Sequence, residues 1–220
     1  MTVPISPAGE NSLYAVYAAE LREHAVDLVW LGYLRLQASS FVRAEEDVIT
    51  GELVKEMKNV LEDPVSPPSW AEHYSVNEQQ RANVNGKQGK GRPIIDVEFE
   101  RHCRGKRPRI RFEAKRLRQA SGVGDYLGEE GLAAFLSGYY PIFQNEAGML
   151  GYVQDETPEA WAQKLSLELA TRFTEHRVRP DGQWSRLPPS ALGAPSFYSG
   201  HIDFNNAPTT VTHMLLAFTE

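Results

Sequence analysis

Apolar residues recur along this chain with two different periods, and the change of period outlines the fold. Residues 12–36 place Leu13, Tyr17, Leu21, Leu28 and Leu31 at helical spacing, with Asn11 or Ser12 available as a cap. They predict a long helix whose wide apolar face packs against the rest of the chain or against a partner. Residues 42–61 predict a second helix with the stripe Ile49, Leu53, Met57 and Val60. Glu45, Glu46 and Asp47 fall in its opening turns, where the positive end of the helix dipole favours acids, and Asp63-Pro64 ends it. Residues 62–92 read mostly as loop, with room for a short strand near "HYSVNEQ".

The period then shortens to two. In "PIIDVEFE", 93–100, Ile95, Val97 and Phe99 alternate with Ile94, Asp96, Glu98 and Glu100. In "RIRFEAK", 109–115, Ile110, Phe112 and Ala114 alternate with Arg109, Arg111, Glu113 and Lys115. The Gly- and Pro-containing stretch between them predicts an antiparallel hairpin. Further along, 124–140 predicts one helix weakened by Gly128 and Gly131, and 148–154 a strand. Residues 157–173 predict a helix capped by Thr157 with Pro158 at its first position. After a loop over 176–195, "SFYSGHIDF" and "TTVTHMLLAF" predict a closing pair of strands. This mixture of helices and strands places the chain in the α/β or α+β class. Its 220 residues favour one domain, 1–220, with appended elements at both ends.

Composition narrows the function classes. Cys103 is the single cysteine, so neither a disulfide framework nor a cysteine-rich zinc site is available, and a cytoplasmic setting is expected. No run approaches the ~18 apolar residues that a membrane span needs. The start "MTVPISPAGEN" lacks the basic-then-apolar pattern of a secretory leader. The formal net charge is −6, which speaks against a general nucleic-acid coat protein. The charge is uneven, however. Twelve of the 23 Lys and Arg fall between Lys87 and Arg118, a stretch with only four acids. Such a basic island points to a polyanion site, or to a solvated or partner-binding face.

Within that island lies one arrangement with chemistry in it. If the hairpin pairs in its natural register, Asp96 shares a face with Glu113 and Lys115, whereas a slip of one residue would separate them. Two carboxylates ~4 Å apart repel by about 4 kcal/mol at an effective dielectric of ~20. Mg²⁺ relieves this, since it takes one or two carboxylates together with waters and phosphate oxygens, and a water bound to it becomes a better nucleophile. Lys115 could orient or help deprotonate that water, or steady charge on a phosphorus centre. The bland alternative for E-x-K on a strand is a cross-strand salt bridge worth under ~1 kcal/mol.

The sequence "IIDVEFE" followed by "RFEAKRL", with Glu113 seventeen positions after Asp96, resembles the PD-(D/E)xK nuclease superfamily. The resemblance covers about half the chain, and Ile95 stands where proline is usual in the motif. It implies a restriction-endonuclease-like core over about 42–154, a central mixed sheet flanked by helices, with 1–41 as an N-terminal helical element and 155–220 as added helix and strands. It implies metal ligation by Asp96, Glu113 and the backbone carbonyl of Ala114, and assistance from Lys115. It implies Mg²⁺, with Mn²⁺ as a substitute, and hydrolysis of DNA in bacterial restriction, phage defence or repair. Many members add a glutamate from the preceding helix. Glu46 is the choice here, because residues 46, 49, 53 and 57 lie near one face, and Glu45 is the alternative. With no ATPase motif and no sequence-reading module in the chain, a homodimer or a partner ATPase or sensor in a defence complex is expected. An inactive nuclease-fold subunit that binds nucleic acid or a protein is the other reading.

The remaining candidates are positioning groups. Lys87, Lys90 and Arg92, in a flexible "GKQGKGR" that is not a P-loop, could contact phosphates. So could Arg109, Arg111, Arg116 and Arg118. Glu98 could be an extra ligand or a rim charge. Tyr139 and Tyr140 could stack on unpaired bases or pack in the core. His201 and His213 lack metal-ligand spacing and are expected to be structural or surface residues. Ser196 and Ser199 lack a nucleophile elbow.

Overall fold

The computed structural model describes residues 7–84, 86, 88–103, 107–119 and 122–219, with side chains described from Ala19 onward. It is an α+β structure built on one seven-stranded mixed sheet. The helices are α1 (Pro7–Arg35), α2 (Glu46–Leu61), α3 (Gly122–Leu127), α4 (Leu132–Leu136) and α5 (Pro158–Thr171). The strands are β1 (Tyr74–Arg81), β2 (Ile94–Arg101), β3 (Arg109–Leu117), β4 (Glu146–Val153), β5 (Ser185–Arg186), β6 (Phe197–Ile202) and β7 (Pro208–Ala217). Their order in the sheet is β1-β2-β3-β4-β7-β6-β5. The central pairs β3–β4 and β4–β7 are parallel and the outer pairs are antiparallel. Among the described residues, no helix is long and apolar enough to cross a membrane.

Each face of the sheet has its own apolar layer. On one face Leu21, Leu28 and Val29 of α1 and the α2 stripe Ile49, Leu53, Met57 and Val60 pack on Val97, Phe99, Phe112, Leu150 and Tyr152. On the other face Tyr126, Phe135, Trp161 and Leu165 pack on Met149, Val153 and Leu215. Burial of a large apolar side chain contributes about 1.5–3 kcal/mol, so the α2 stripe alone fixes that helix against the sheet. Central β4, covered on both faces, has no strictly polar face of its own.

One local expectation is extended and two are corrected. The strand allowed for near "HYSVNEQ" is present as β1 and runs on to Arg81, because its polar second half "EQQR" is exposed and carries no hydrophobic signature. The single helix expected over 124–140 is two short ones. Gly131 breaks it, because a Cβ there would sit 2.2 Å from the Tyr126 carbonyl oxygen, closer than any side chain can approach. The expected loop 176–195 contributes the two-residue β5. The closing strands do pair with each other, and β7 also enters the sheet beside β4.

Candidate active site

The hairpin register brings the expected face together. Glu98 lies opposite Arg111 and Glu100 opposite Arg109, and the ladder between β2 and β3 stops at Val97–Phe112. The next pair in register is Asp96 and Glu113. There the strands part, and the Asp96 carboxylate takes the place of a ladder carbonyl, accepting the Ala114 N–H at 2.8 Å. The same position is irregular toward β1. Glu78 pairs with Val97 and Gln80 with Ile95, but Gln79 and Asp96 do not pair, and Gln79 has a left-handed φ of 49°. Beyond this break Ile95 joins the layer under α3–α5, whereas Val97 and Phe99 pack toward α1 and α2.

Lys115 is the centre of the cluster. Its ammonium donates to Glu113 Oε1 at 2.8 Å and to Glu46 Oε1 at 3.1 Å. Glu46 Oε2 accepts the Arg116 N–H at 2.9 Å. Glu45, exposed, instead pairs with the Arg116 guanidinium at 2.7 Å. The first turn of α2 is held in place for this contact. Thr50 donates to the Glu46 carbonyl at 2.8 Å, so the Tyr152 hydroxyl, 2.9 Å away, donates to Thr50. Gln154 donates to the carbonyls of Phe41 and Ala44 just before the helix. Sequence reasoning missed these supports from the end of β4 and the residue after it, which carry no motif.

The electrostatics follow from burial. Glu113 is 3% exposed; burial and then the charge of Asp96 push its carboxyl up to about 8. Burial also raises the Asp96 and Glu46 carboxyls. Burial works against the charge on Lys115, but Glu113 and Glu46 outweigh it, so its pKa is raised and it is an ammonium ion at neutral pH. Burial raises the Tyr140 phenol, as do the adjacent Glu113 and Asp96, which places this core tyrosine beside the carboxylates. Glu113 Oε2 is buried with no hydrogen-bond partner. An unpartnered buried carboxylate oxygen is costly, and with Asp96 alongside, the hard oxygen donors suit a hard divalent cation. Among the described residues, no three His, Cys, Asp or Glu side chains are drawn together as a ready-made metal cluster, because Lys115 stands between Glu113 and Glu46.

Beside the cluster opens a cleft of about 500 Å³ lined by Glu46, Lys115, Arg116, Arg118 and Gln119, with Asp125, Glu129 and Glu130 on the facing wall. Arg116 and Arg118 thus reach the cleft. Arg109 and Arg111 do not line it, since they are tied into the acids of β2. Arg111 donates to Glu98 at 2.8 Å and to the Pro141 carbonyl at 2.9 Å, and Arg109 pairs with Glu100 at 2.7 Å. Glu98 is buried in that pairing, neither rim charge nor part of the carboxylate cluster. Lys90 is exposed at the tip of the β1–β2 hairpin, and Arg92 donates to Asn83 at 2.6 Å. Lys87 lies outside the described residues.

His201 and His213 are fully buried in a one-way hydrogen-bond chain. His201 Nδ1 faces the His176 carbonyl at 2.8 Å and therefore carries a proton, so its Nε2 accepts from Ser199 at 2.6 Å. Ser199 then accepts from His213 Nε2 at 2.7 Å, and His213 Nδ1 accepts from Tyr126 at 3.0 Å. Both imidazoles are neutral and tie β6 and β7 to α3. No family model matches the chain, and no curated protein or solved structure matches it.

Proposed function

We propose that the chain is a divalent-metal-dependent nuclease of the PD-(D/E)xK type, hydrolysing phosphodiester bonds in DNA. The observation that carries this is the meeting of Asp96, Glu113 and Lys115, joined by Glu46, at the point where both neighbouring ladders are interrupted. A sheet gains nothing from burying two acids side by side, with one oxygen of Glu113 left without a hydrogen bond, at an irregular position, whereas functional sites concentrate such strain. The order α2, β1, β2, β3, the α3–α4 pair and β4 also fits the helix, three strands, helix, strand of a restriction-endonuclease-like core.

Asp96, Glu113 and the Ala114 carbonyl are the groups that would hold Mg²⁺ or Mn²⁺. The cation supplies a Lewis acid and lowers the pKa of water beside it. Lys115, protonated, donates to negative charge developing on the phosphoryl oxygens and is not the base. Glu46 holds Lys115 in position. Arg116 and Arg118 grip the strand at the cleft. The proposed setting is bacterial restriction, phage defence or repair in a reducing cytoplasm, as a homodimer or with an ATPase or sensor partner.

A second reading, an inactive nuclease-fold subunit that binds nucleic acid or assembles a complex, has one observation in its favour. Lys115 already compensates Glu113 and Glu46 without a metal. The deciding experiment incubates wild type, Glu113→Gln and Lys115→Ala with supercoiled plasmid, linear duplex and single-stranded DNA in Mg²⁺, Mn²⁺ and EDTA. Metal-dependent cutting that both variants lose supports the enzyme. No cutting by wild type in either metal, with DNA binding equal in all three proteins, removes the enzymatic reading for the isolated chain.

A further inference from the structure

A second cleft, of about 570 Å³, opens among the β1–β2 hairpin, the segment after α4 and the β6–β7 turn. The volume is within the range of small-molecule pockets and admits a nucleobase. One wall is Phe204, a residue that is 53% exposed. The turn that carries it is fixed by its own hydrogen bonds. Asp203 accepts the N–H groups of Asn205 and Ala207, both at 2.8 Å, and Asn206 adopts a left-handed φ of 61°. The ring rests against Gly138, where a Cβ would come within 2.3 Å of it and φ is +77°. Val84 and Ile142 give the other apolar surfaces, and the exposed amides of Asn83 and Asn205 stand at the rim.

One segment links the cleft to the carboxylate cluster, and cations stand on its hairpin side. The segment that lines it with Gly138, Pro141 and Ile142 also sets Tyr140 against Glu113 and the Pro141 carbonyl against Arg111. On the hairpin side Arg92 is bonded to Asn83, and Lys90 stands exposed at the tip. An aromatic face, flanking amides and adjacent cations are the parts with which proteins hold unpaired nucleotides, since the faces of paired bases are covered by their neighbours.

We infer that this cleft takes one unpaired nucleobase, stacked on Phe204, so that the substrate of the adjacent site is single-stranded or frayed DNA. The inference rests on the nuclease reading for the identity of the polymer. Its test is independent of cleavage. A single-stranded oligonucleotide carrying 2-aminopurine, and the same sequence as a duplex, are titrated with full-length protein in EDTA. Wild type, Phe204→Leu and Phe204→Trp are compared, with thermal unfolding as the folding control. Wild type is expected to quench the single strand. Leucine, which keeps an apolar contact with Gly138, should weaken single-strand binding about tenfold more than duplex binding, and tryptophan should restore it. Equal effects on both substrates, or no effect of leucine, overturn the inference. Cutting by wild type in Mg²⁺ with those negative titrations leaves the nuclease and removes the base site. Quenching that depends on Phe204 in a protein that never cuts leaves the base site and removes the nuclease.

Discussion

Gln79 and Asp96 face each other across β1 and β2 and are the one pair that this ladder skips, with Gln79 in the left-handed region at φ 49°. A left-handed non-glycine residue costs roughly 1–2 kcal/mol and tolerates branching at Cβ poorly. Gln79→Val is therefore expected to lower stability by about 1–2 kcal/mol, whereas Gln79→Gly should be neutral or slightly stabilising. Urea denaturation of the three proteins checks this. A valine as stable as wild type would mean that the kink carries no strain.

Glu113 is expected to destabilise the protein at neutral pH. Its folded carboxyl lies at about 8, above its ordinary value of 4.5. The proton-linked stability is fully present below pH 4.5 and is lost as pH rises through 8. Glu113→Gln removes that loss. The variant should exceed wild type by roughly 2–4 kcal/mol at pH 8 and by little at pH 4.5. Denaturation midpoints at pH 4.5, 6 and 8 give the comparison, and a constant difference across that range would show that the carboxyl is not raised.

Divalent metal should reverse that penalty if the site binds it. Binding to the folded state alone adds about 2.7 kcal/mol at a hundredfold excess over Kd. Thermal unfolding of wild type at pH 7.5 should move upward in Mg²⁺ or Mn²⁺ relative to EDTA. In Glu113→Gln the shift should shrink or vanish. Equal shifts in the two proteins would place any bound metal elsewhere.

The imidazole chain predicts weakness in acid. Burial lowers His201 to about 4 and takes His213 well below its ordinary value of 6.5. The unfolded chain takes up protons below pH 6.5 while the folded chain does not, so stability falls between pH 6.5 and about 4. His201 alone accounts for about 3 kcal/mol of that fall. Ser199→Ala, which breaks the chain at its middle, should cost about 1–3 kcal/mol at pH 7. Urea midpoints at pH 7, 5.5 and 4.5 report both effects.

Alternation and stripe made much of this visible in the sequence. Val97, Phe99, Ile110 and Phe112 marked the hairpin, Ile49 to Val60 marked α2, and Thr157-Pro158 marked the start of α5, where Thr157 accepts the Ala160 N–H at 3.2 Å. The meeting of Asp96, Glu113 and Lys115 followed from the hairpin register, but the alternation that put Ile95 on one face with Val97 and Phe99 fails at Asp96, where the break sends Ile95 to the opposite layer. The kink at Gln79 was not legible, because a left-handed glutamine has no signal of its own. Nor was the capture of Arg109 and Arg111 by Glu98 and Glu100, since a basic island reads the same whether its charges face water or the acids of a neighbouring strand. The supports from Tyr152 and Gln154 and the seat of Phe204 on Gly138 join residues 66 to 113 positions apart. Only the folded chain brings them together.

The hydrogen bond from Ala114 to Asp96 has a consequence for descent. Asp96 completes the sheet where the strands separate, while Glu113, its carboxyl raised by burial, is expected to weaken the fold that carries it. In a lineage with no further use for the pocket, replacement of Glu113 would be favoured at once and Lys115 would keep only Glu46 as its carboxylate partner. Asp96 would persist, kept by folding alone. On the nuclease reading, a distant copy with the aspartate intact and the glutamate gone would be a fossil of lost chemistry, and the aspartate in it no evidence of an activity.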